Sequence, residues 1–276
     1  MHRTLVSVAL AGIAAALAAG AARASTIPAQ VSSNWSGYAV IAADETVPVS
    51  FTDVTGTWVQ PKATCTAGRA SSSAFWVGLG GYDEDSNSLE QLGTGVDCNG
   101  TSTTPSHYAW WELVPASSVK IPLKIFPGDT INAAVLVNGQ KITFSLRDVT
   151  RRTRFSKVLT TGQPLDTGSA EWIAEAPSQC GSFGRCRTVP LTNFGTVTFT
   201  NAAVIANAQP GTLVGPTAAP PSSPWTATPI ELITGGRNRG FFGHVDTESG
   251  TGAVPGDVTA DGRGFSVSWA QNLTAP

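Results

Sequence analysis

Short runs in which β-branched or aromatic residues alternate with polar ones recur along this chain, and turn-forming residues separate them. A period of two places successive side chains on opposite faces of a strand, so these runs predict half-buried β-strands. They lie at Thr55–Val59, Ala74–Leu79, Thr130–Val137, Lys141–Val149, Val197–Thr200, Ile230–Thr234 and Phe265–Trp269. After the N-terminal apolar run, no segment has the sustained 3.6-residue period and caps of a helix. The pattern therefore predicts an all-β sandwich with only minor helix.

Two segments between strands are informative. Asn138-Gly139 lies between Ala133–Val137 and Lys141–Phe144, and this is the clearest hairpin signal in the chain. Residues 208–229 are rich in proline and predict an ordered surface loop or flap. A linker between two domains is the alternative, but the roughly 45 residues that follow are few for a separate domain. We therefore expect a single domain over residues 25–276.

The N-terminus has the features of a secretory signal peptide over residues 1–24. His2 and Arg3 give a basic start, an apolar run follows from Leu5 to Ala19, and Ala22-Arg23-Ala24 is a small-x-small cleavage site. A membrane anchor is the competing interpretation, but the run is shorter than the ~20 residues that span a bilayer. The sequence thus predicts a secreted, extracellular protein with no membrane association after cleavage.

The chain carries unusually few charges. Charged residues make up 13% of the sequence, about half the ~25% of an average domain. Loss of Arg3 and Arg23 would leave 15 basic against 19 acidic residues, a mature charge of −4, which gives no indication of a nucleic-acid partner. Few basic residues mean little self-repulsion in acid, which suits an acid-stable protein. Replacement of charges by Thr and Ser on an extracellular β-surface is the alternative explanation.

The four cysteines predict two disulfides rather than a metal site, because their number is even and the compartment is oxidising. Three pairings are possible. Cys180 with Cys186 is the easiest to close, since the glycines between them form a turn, and this pairing leaves Cys65 with Cys98.

Two common hydrolase chemistries find little support. The mature chain has two histidines, His107 and His244, and no HExxH spacing, so we expect no metal and no other cofactor. A Ser-His-Asp triad built on His244 and Asp246 is disfavoured, because these residues alternate on one segment and no G-x-S-x-G turn is present.

Carboxylates and tryptophans share strand faces in two segments. A strand over 108–112 places Tyr108, Trp110 and Glu112 on one face, and a strand over 170–175 places Glu171 and Glu175 on one face. An aromatic face with embedded glutamates suits a groove that binds a chain molecule. The alternative is that the tryptophans belong to the core and the glutamates to solvated edges.

Five segments together resemble the successive motifs of the glutamic peptidases, or eqolisins. They are Asn34-Trp35-Ser36-Gly37-Tyr38-Ala39, Phe75-Trp76-Val77-Gly78-Leu79-Gly80, Leu89-Glu90-Gln91-Leu92-Gly93, Tyr108-Ala109-Trp110-Trp111-Glu112 and Ala170-Glu171-Trp172-Ile173-Ala174-Glu175. They follow the family's order and span roughly Ser33 to Asn201. One departure is Leu92, at a position where the family has a small polar residue.

The resemblance implies a concanavalin A-like sandwich of two antiparallel sheets, with polypeptide substrate lying across a concave face. It implies that Gln91 and Glu175 are the catalytic pair, and that Trp35, Trp76, Trp110 and Glu112 lie near the substrate. Glu175 would act as base and acid on a water molecule. Gln91 would stabilise the oxyanion, and its neutral amide avoids the shared proton of two carboxylates.

The sequence therefore predicts a secreted acid endopeptidase, which we expect to be a monomer. Two alternatives use the same fold: a carbohydrate-binding lectin, and a glycosidase with Glu112 and Glu175 as acid and base.

Overall fold

The computed structural model describes residues 28–83, 85–180, 186–218, 223–234 and 250–273. The predicted signal peptide lies outside these residues, as do His244 and Asp246. The described residues form strands, turns and irregular segments without any helix, so they contain no helix that could cross a membrane. The all-β prediction is confirmed, and the minor helix that we allowed for is not found in the described ranges.

The strands form two antiparallel layers, with β1 against β17 as a parallel exception. In the front sheet the order is β1 (Gln30–Ser32), β17 (Trp225–Ile233), β2 (Trp35–Ala42), β11 (Ser169–Glu175), β4 (Ala70–Leu79), β5 (Leu89–Asn99), β6 (Ser106–Val114) and β7 (Val119–Ile121). In the back sheet it is β19 (Phe265–Leu273), β14 (Thr196–Ala206), β3 (Phe51–Val59), β8 (Thr130–Asn138), β9 (Lys141–Asp148) and β10 (Thr153–Thr160). Strand β18 (Gly250–Pro255) pairs with both β17 and β19 and joins the sheets.

The core lies between the two sheets and follows the alternation in the sequence. In β4, Phe75, Val77 and Leu79 belong to this core, which also contains Phe144 and Phe199 from the back sheet. The intervening residues of β4 point to the other side of the front sheet, which we call the outer face. A second buried apolar cluster covers that outer face. The middle strands of the front sheet are therefore largely buried on both sides.

All seven predicted strands are present, and the hairpin around Asn138-Gly139 is confirmed as β8–β9. Asn138 still pairs with Lys141, so the two turn residues are Gly139 and Gln140. The turn thus begins one residue later than a turn centred on Asn-Gly. Gly139 has a φ of 59°, which glycine adopts without strain.

The prediction of a proline-rich loop over 208–229 is wrong for half of its length. Strands β15 (Gln209–Thr212) and β16 (Gly215–Pro216) form a short extension of β14, and β17 begins at Trp225. Proline lacks the N–H that a central strand requires. Pro229 lies in β17 opposite Tyr38 of β2, but β1 joins the other side of β17 only from Ile230 onward. One side of β17 at Pro229 thus needs no donor.

One of the two predicted disulfides is present: Cys65 and Cys98 are bonded, with their Cα atoms 5.4 Å apart. The remaining strands β12 (Ser178–Cys180) and β13 (Cys186–Thr188) form a separate antiparallel pair in which Cys180 is opposite Cys186. The side chains of these two cysteines lie outside the described part of the structure, so their bond stays a prediction.

Candidate active site

Three rows of register partners cross the outer face of the front sheet. The Gln91 row consists of Glu171, Gly78, Gln91 and Glu112 on β11, β4, β5 and β6. The tryptophan row consists of Ile173, Trp76, Gly93 and Trp110, and the Glu175 row of Glu175, Ala74, Gly95 and Tyr108. The structure therefore brings all the predicted site residues of β4, β5, β6 and β11 to one face. The face shared by Tyr108, Trp110 and Glu112 and that shared by Glu171 and Glu175 are the same surface.

Two glycines of β5 make room for the aromatic rings of this face. A Cβ added to Gly93 would lie 2.7 Å from the Cβ of Trp76, and one added to Gly95 would lie 2.4 Å from the Tyr108 ring. Both contacts are closer than real Cβ contacts allow. Glycine at these positions lets the large side chains of β4 and β6 lie across β5.

The three tryptophans form the floor of the site rather than an open wall. Trp35, Trp76 and Trp110 are at most 5% exposed, and the rings of Trp35 and Trp76 meet edge to face at 5.0 Å. Their predicted role in binding substrate stays a prediction, but burial leaves little ring surface for a ligand. A different role is visible for Trp76, because its Nε1 donates a hydrogen bond of 2.7 Å to Oε2 of Glu175.

Glu175 is held at the end of β11 by donors from strand β4 and from the bend before β2. Besides Trp76, Asn34 donates from Nδ2 to Oε1 over 3.3 Å. Ser32 donates to Oδ1 of Asn34 over 3.1 Å, which turns the Nδ2 group of that amide toward Glu175. The carboxyl group thus has a donor on each oxygen and a fixed orientation.

The pKa of Glu175 is raised to about 7. Burial is the largest cause, because it disfavours the charged form, and the negative charge of Glu112 raises the pKa further. Hydrogen bonds from Trp76, Asn34 and Trp35 act in the opposite direction. A carboxyl group with this pKa can change its protonation state between acid and neutral pH.

Gln91 pairs with Glu112, its register partner on β6. Nε2 of Gln91 donates to Oε2 of Glu112 over 2.8 Å, while Oε1 of Gln91 is buried without a hydrogen-bond partner among the described residues. Burial raises the pKa of Glu112, and the bond from Gln91 opposes that rise. The bond to Glu112 uses one N–H of the amide and leaves the other N–H and the carbonyl oxygen outside this pair.

Gln91 and Glu175 share no hydrogen bond, and the tryptophan row lies between them. Their connection is through Glu112, which bonds to Gln91 and acts electrostatically on Glu175. The glutamine partner is neutral, but Glu112 beside it still raises the pKa of Glu175. The pattern of the sequence did place Glu112 on the shared face, but it gave no measure of its distance from β11.

Two further glutamates are buried and were not recognised as such from the sequence. Glu171 and Glu90 are fully buried, and the hydroxyl groups of Ser169 and Ser88 are the side-chain donors that act on them. Burial raises the pKa of Glu90 to about 8 and that of Glu171 well above its usual value. Asp166 lies close to both and raises each pKa further. Both groups are neutral in acid.

Asn34 was also missed as a site residue. It belongs to the first quoted motif, but its contact with Glu175 joins residues 141 positions apart. No periodicity signals such a contact, because Asn34 lies in the bend before β2. His107 is remote from this site and contacts Gln60 over 3.1 Å. In the described ranges no three His, Cys, Asp or Glu side chains are grouped as metal ligands would be.

A β-sandwich with oriented carboxyl groups on one sheet is the framework of a hydrolase that uses carboxyl chemistry. Residues 33–225 match the model of the peptidase A4 family. The match covers more than half of the chain, so the chain belongs to this family and is a peptide hydrolase. The resemblance to eqolisins is confirmed.

Solved structures support the fold. Scytalido-glutamic peptidase, crystallised with a peptide-based transition-state analogue, aligns with a TM-score of 0.63 and 24% identity over 86% of this chain and 98% of its own. SCP-B, a member of the eqolisin family in complex with the tripeptide Ala-Ile-His, aligns with a TM-score of 0.60 and 23% identity over the same shares. A search of curated protein sequences found no match.

Proposed function

We propose that this protein is a secreted acid endopeptidase in which Glu175 is the general base and acid and Gln91 stabilises the oxyanion. The observation that carries the proposal is the fixed carboxyl group of Glu175, held by Trp76 at 2.7 Å on the same face as the Gln91–Glu112 pair. The eqolisin relatives crystallised with a peptide-based inhibitor and a tripeptide support a peptide substrate on this face.

In the reaction, ionised Glu175 takes a proton from a water molecule while the oxygen of that water attacks the peptide carbonyl carbon. The carbonyl oxygen becomes an oxyanion, and the free N–H of the Gln91 amide donates to it. Protonated Glu175 then gives its proton to the nitrogen, and the C–N bond breaks. Asn34 and Trp76 keep Glu175 in place through both transfers.

The active form carries one proton on the pair Glu112 and Glu175. Two nearby carboxylates do not both ionise readily, so the pair titrates in two steps. With Glu112 protonated, its charge no longer raises the pKa of Glu175, and burial is then the main cause that still does. Activity then falls toward neutral pH as the pair loses its remaining proton.

The whole chain fits this activity as follows. Residues 1–24 direct export and are removed, and residues 25–276 form a single peptidase domain that acts as a monomer without a cofactor. A lectin that stacks sugars on aromatic rings fits less well. Among the described residues of this face, the three tryptophan rings are buried.

The proposal is tested by incubating the purified secreted protein with an acid-denatured protein and, separately, with neutral polysaccharides. We expect cleavage of the polypeptide in acid, a decline toward neutral pH, and full activity in the presence of metal chelators and serine-directed reagents. Loss of activity on chelation contradicts the two-residue mechanism. If the protein hydrolyses or binds a polysaccharide and does not cleave the polypeptide, the proposed substrate is wrong.

A further inference from the structure

The hairpin of β9 and β10 carries a charge opposite to that of the rest of the chain. Residues 141–160 contain six basic residues and one acid, a formal charge of +5, whereas the whole chain has a charge of −2. The remainder of the chain therefore has a charge of −7. The basic residues are Lys141, Arg147, Arg151, Arg152, Arg154 and Lys157. We call this segment the basic hairpin.

The fold places these charges along one edge of the back sheet. Among the described strands, β10 pairs with β9 alone. Arg147 lies directly opposite Arg154 and points away from the core, because the adjacent pair, Leu146 and Phe155, packs toward it. Lys141 is six residues along β9 from Arg147, so the charges extend over about 20 Å.

Most of these charges are not neutralised by the protein. In the described part of the chain, ion pairs of the basic hairpin involve Arg151 alone, which bonds to Asp129 over 2.8 Å and stacks on Phe126 at 3.8 Å. The acid of the hairpin, Asp148, is buried and 3.9 Å from Arg151. Arg147 and Arg154 face each other as like charges, an arrangement that destabilises a strand pair. Folding therefore does not account for this cluster.

We propose that the basic hairpin binds a linear acidic polysaccharide. A guanidinium group binds carboxylate, sulfate or phosphate oxygens through parallel hydrogen bonds. The charges of the basic hairpin form an open, extended row rather than a closed pocket. Such a row fits a chain with repeated charges better than a single ion. The negative remainder of the molecule repels the rest of a polyanion and confines the contact to this edge.

The side chains around the charges of the basic hairpin favour a polysaccharide over a nucleic acid or a membrane. Single-stranded nucleic acids need exposed aromatic rings on which bases stack. Of the two aromatic residues of the hairpin, Phe144 is buried in the core and Phe155 is partly buried against it. Val149 and Val158 are the exposed valines of the hairpin. They are small, and they do not form the aromatic anchor of a membrane-bound segment.

The test is binding of the full secreted protein to dextran sulfate, polygalacturonate and uncharged dextran, with duplex DNA and anionic lipid vesicles as comparisons. The hairpin variant is Lys141→Gln/Arg147→Gln/Arg154→Gln. The matched control is Arg69→Gln/Lys124→Gln/Arg263→Gln, which removes the same charge from exposed positions elsewhere. Peptidase activity is measured in parallel and should be unchanged in both variants, so this test does not depend on the catalytic proposal.

We expect binding to an acidic polysaccharide that weakens about tenfold or more in the hairpin variant, with a salt dependence reduced by about two to three ions. The control should bind as the parent does. If dextran sulfate still binds in strong acid, where the carboxyl groups of polygalacturonate are neutral, the natural ligand is a sulfated polysaccharide. Equal loss in both variants, no binding to either acidic polymer, or tighter binding to DNA or vesicles would overturn the proposal.

Discussion

At the scale of single residues, the proposed catalysis depends on the contacts that hold Glu175. Its two oxygens have donors from Trp76 and Asn34, and its pKa is raised by burial and by Glu112. The sequence could place Glu175 on the right strand face, because alternation fixes the direction of side chains. It could not show that Trp76 is a donor rather than a binding surface, since this depends on how β4 and β11 pair.

Replacing Trp76 by Phe tests that donor. The change removes the N–H but keeps most of the ring, and the lost hydrogen bond favours ionised Glu175. We expect the decline in activity toward neutral pH to move upward by about one to two units, since a hydrogen bond to a charged group is worth about 1.5–3 kcal/mol. The pH dependence of kcat/KM measures this shift.

Trp110→Phe is the matched control, because Trp110 is also buried on this face but its Nε1 has no hydrogen-bond partner. Its pH profile should stay in place. If both variants shift equally, ring packing and not the hydrogen bond controls the titration.

At the scale of secondary structure, the alternating pattern predicted the strands that have one apolar face. It missed β10, whose residues are mostly exposed, and β2 and β5, which are buried along most of their length. It also misassigned part of 208–229, where prolines occupy short strands or one-sided positions. It also gave no sign that the front sheet is covered on both faces. Pairing between distant strands decides such features, and local periodicity does not report it.

The pair β12–β13 carries the remaining disulfide prediction. Because Cys180 is opposite Cys186, peptide mapping under non-reducing conditions should recover these two cysteines joined. Loss of the Cys65–Cys98 bond should lower the free energy of unfolding by about 4 kcal/mol. Loss of the Cys180–Cys186 bond should lower it by about 2 kcal/mol, because this bond closes a shorter loop and so restricts the unfolded chain less. Recovery of a Cys65–Cys180 peptide would contradict the pairing.

At the scale of the whole molecule, buried acids link stability to pH. Glu90 has a folded pKa of about 8, well above the value of an exposed glutamate. The folded state thus keeps a proton that the unfolded state releases, and its stabilising effect is complete below the unfolded pKa. The free energy of unfolding should fall as the pH rises from about 4.5 to 8, by several kcal/mol in total.

Glu90→Gln should reduce this dependence, because the amide has no proton to release. Chemical unfolding at pH 4 and pH 8 measures the effect, with Glu45→Gln as the control at an exposed position. An equal slope in Glu90→Gln and the parent would show that Glu90 does not link stability to pH.

The central claim is that Glu175 and Gln91 act on one water molecule and one intermediate, and the kinetics of their variants test it most directly. Glu175→Gln should lower kcat/KM by about 10²–10⁴ with the fold intact, and Gln91→Ala should lower kcat by about 10²–10³. The losses should not add in the double variant. Glu171→Gln is the control and should retain substantial activity, because Glu171 is fully buried and an amide keeps its shape. Loss of hydrolysis in Glu171→Gln with activity kept in Glu175→Gln, or full activity in both Glu175→Gln and Gln91→Ala, would contradict the account.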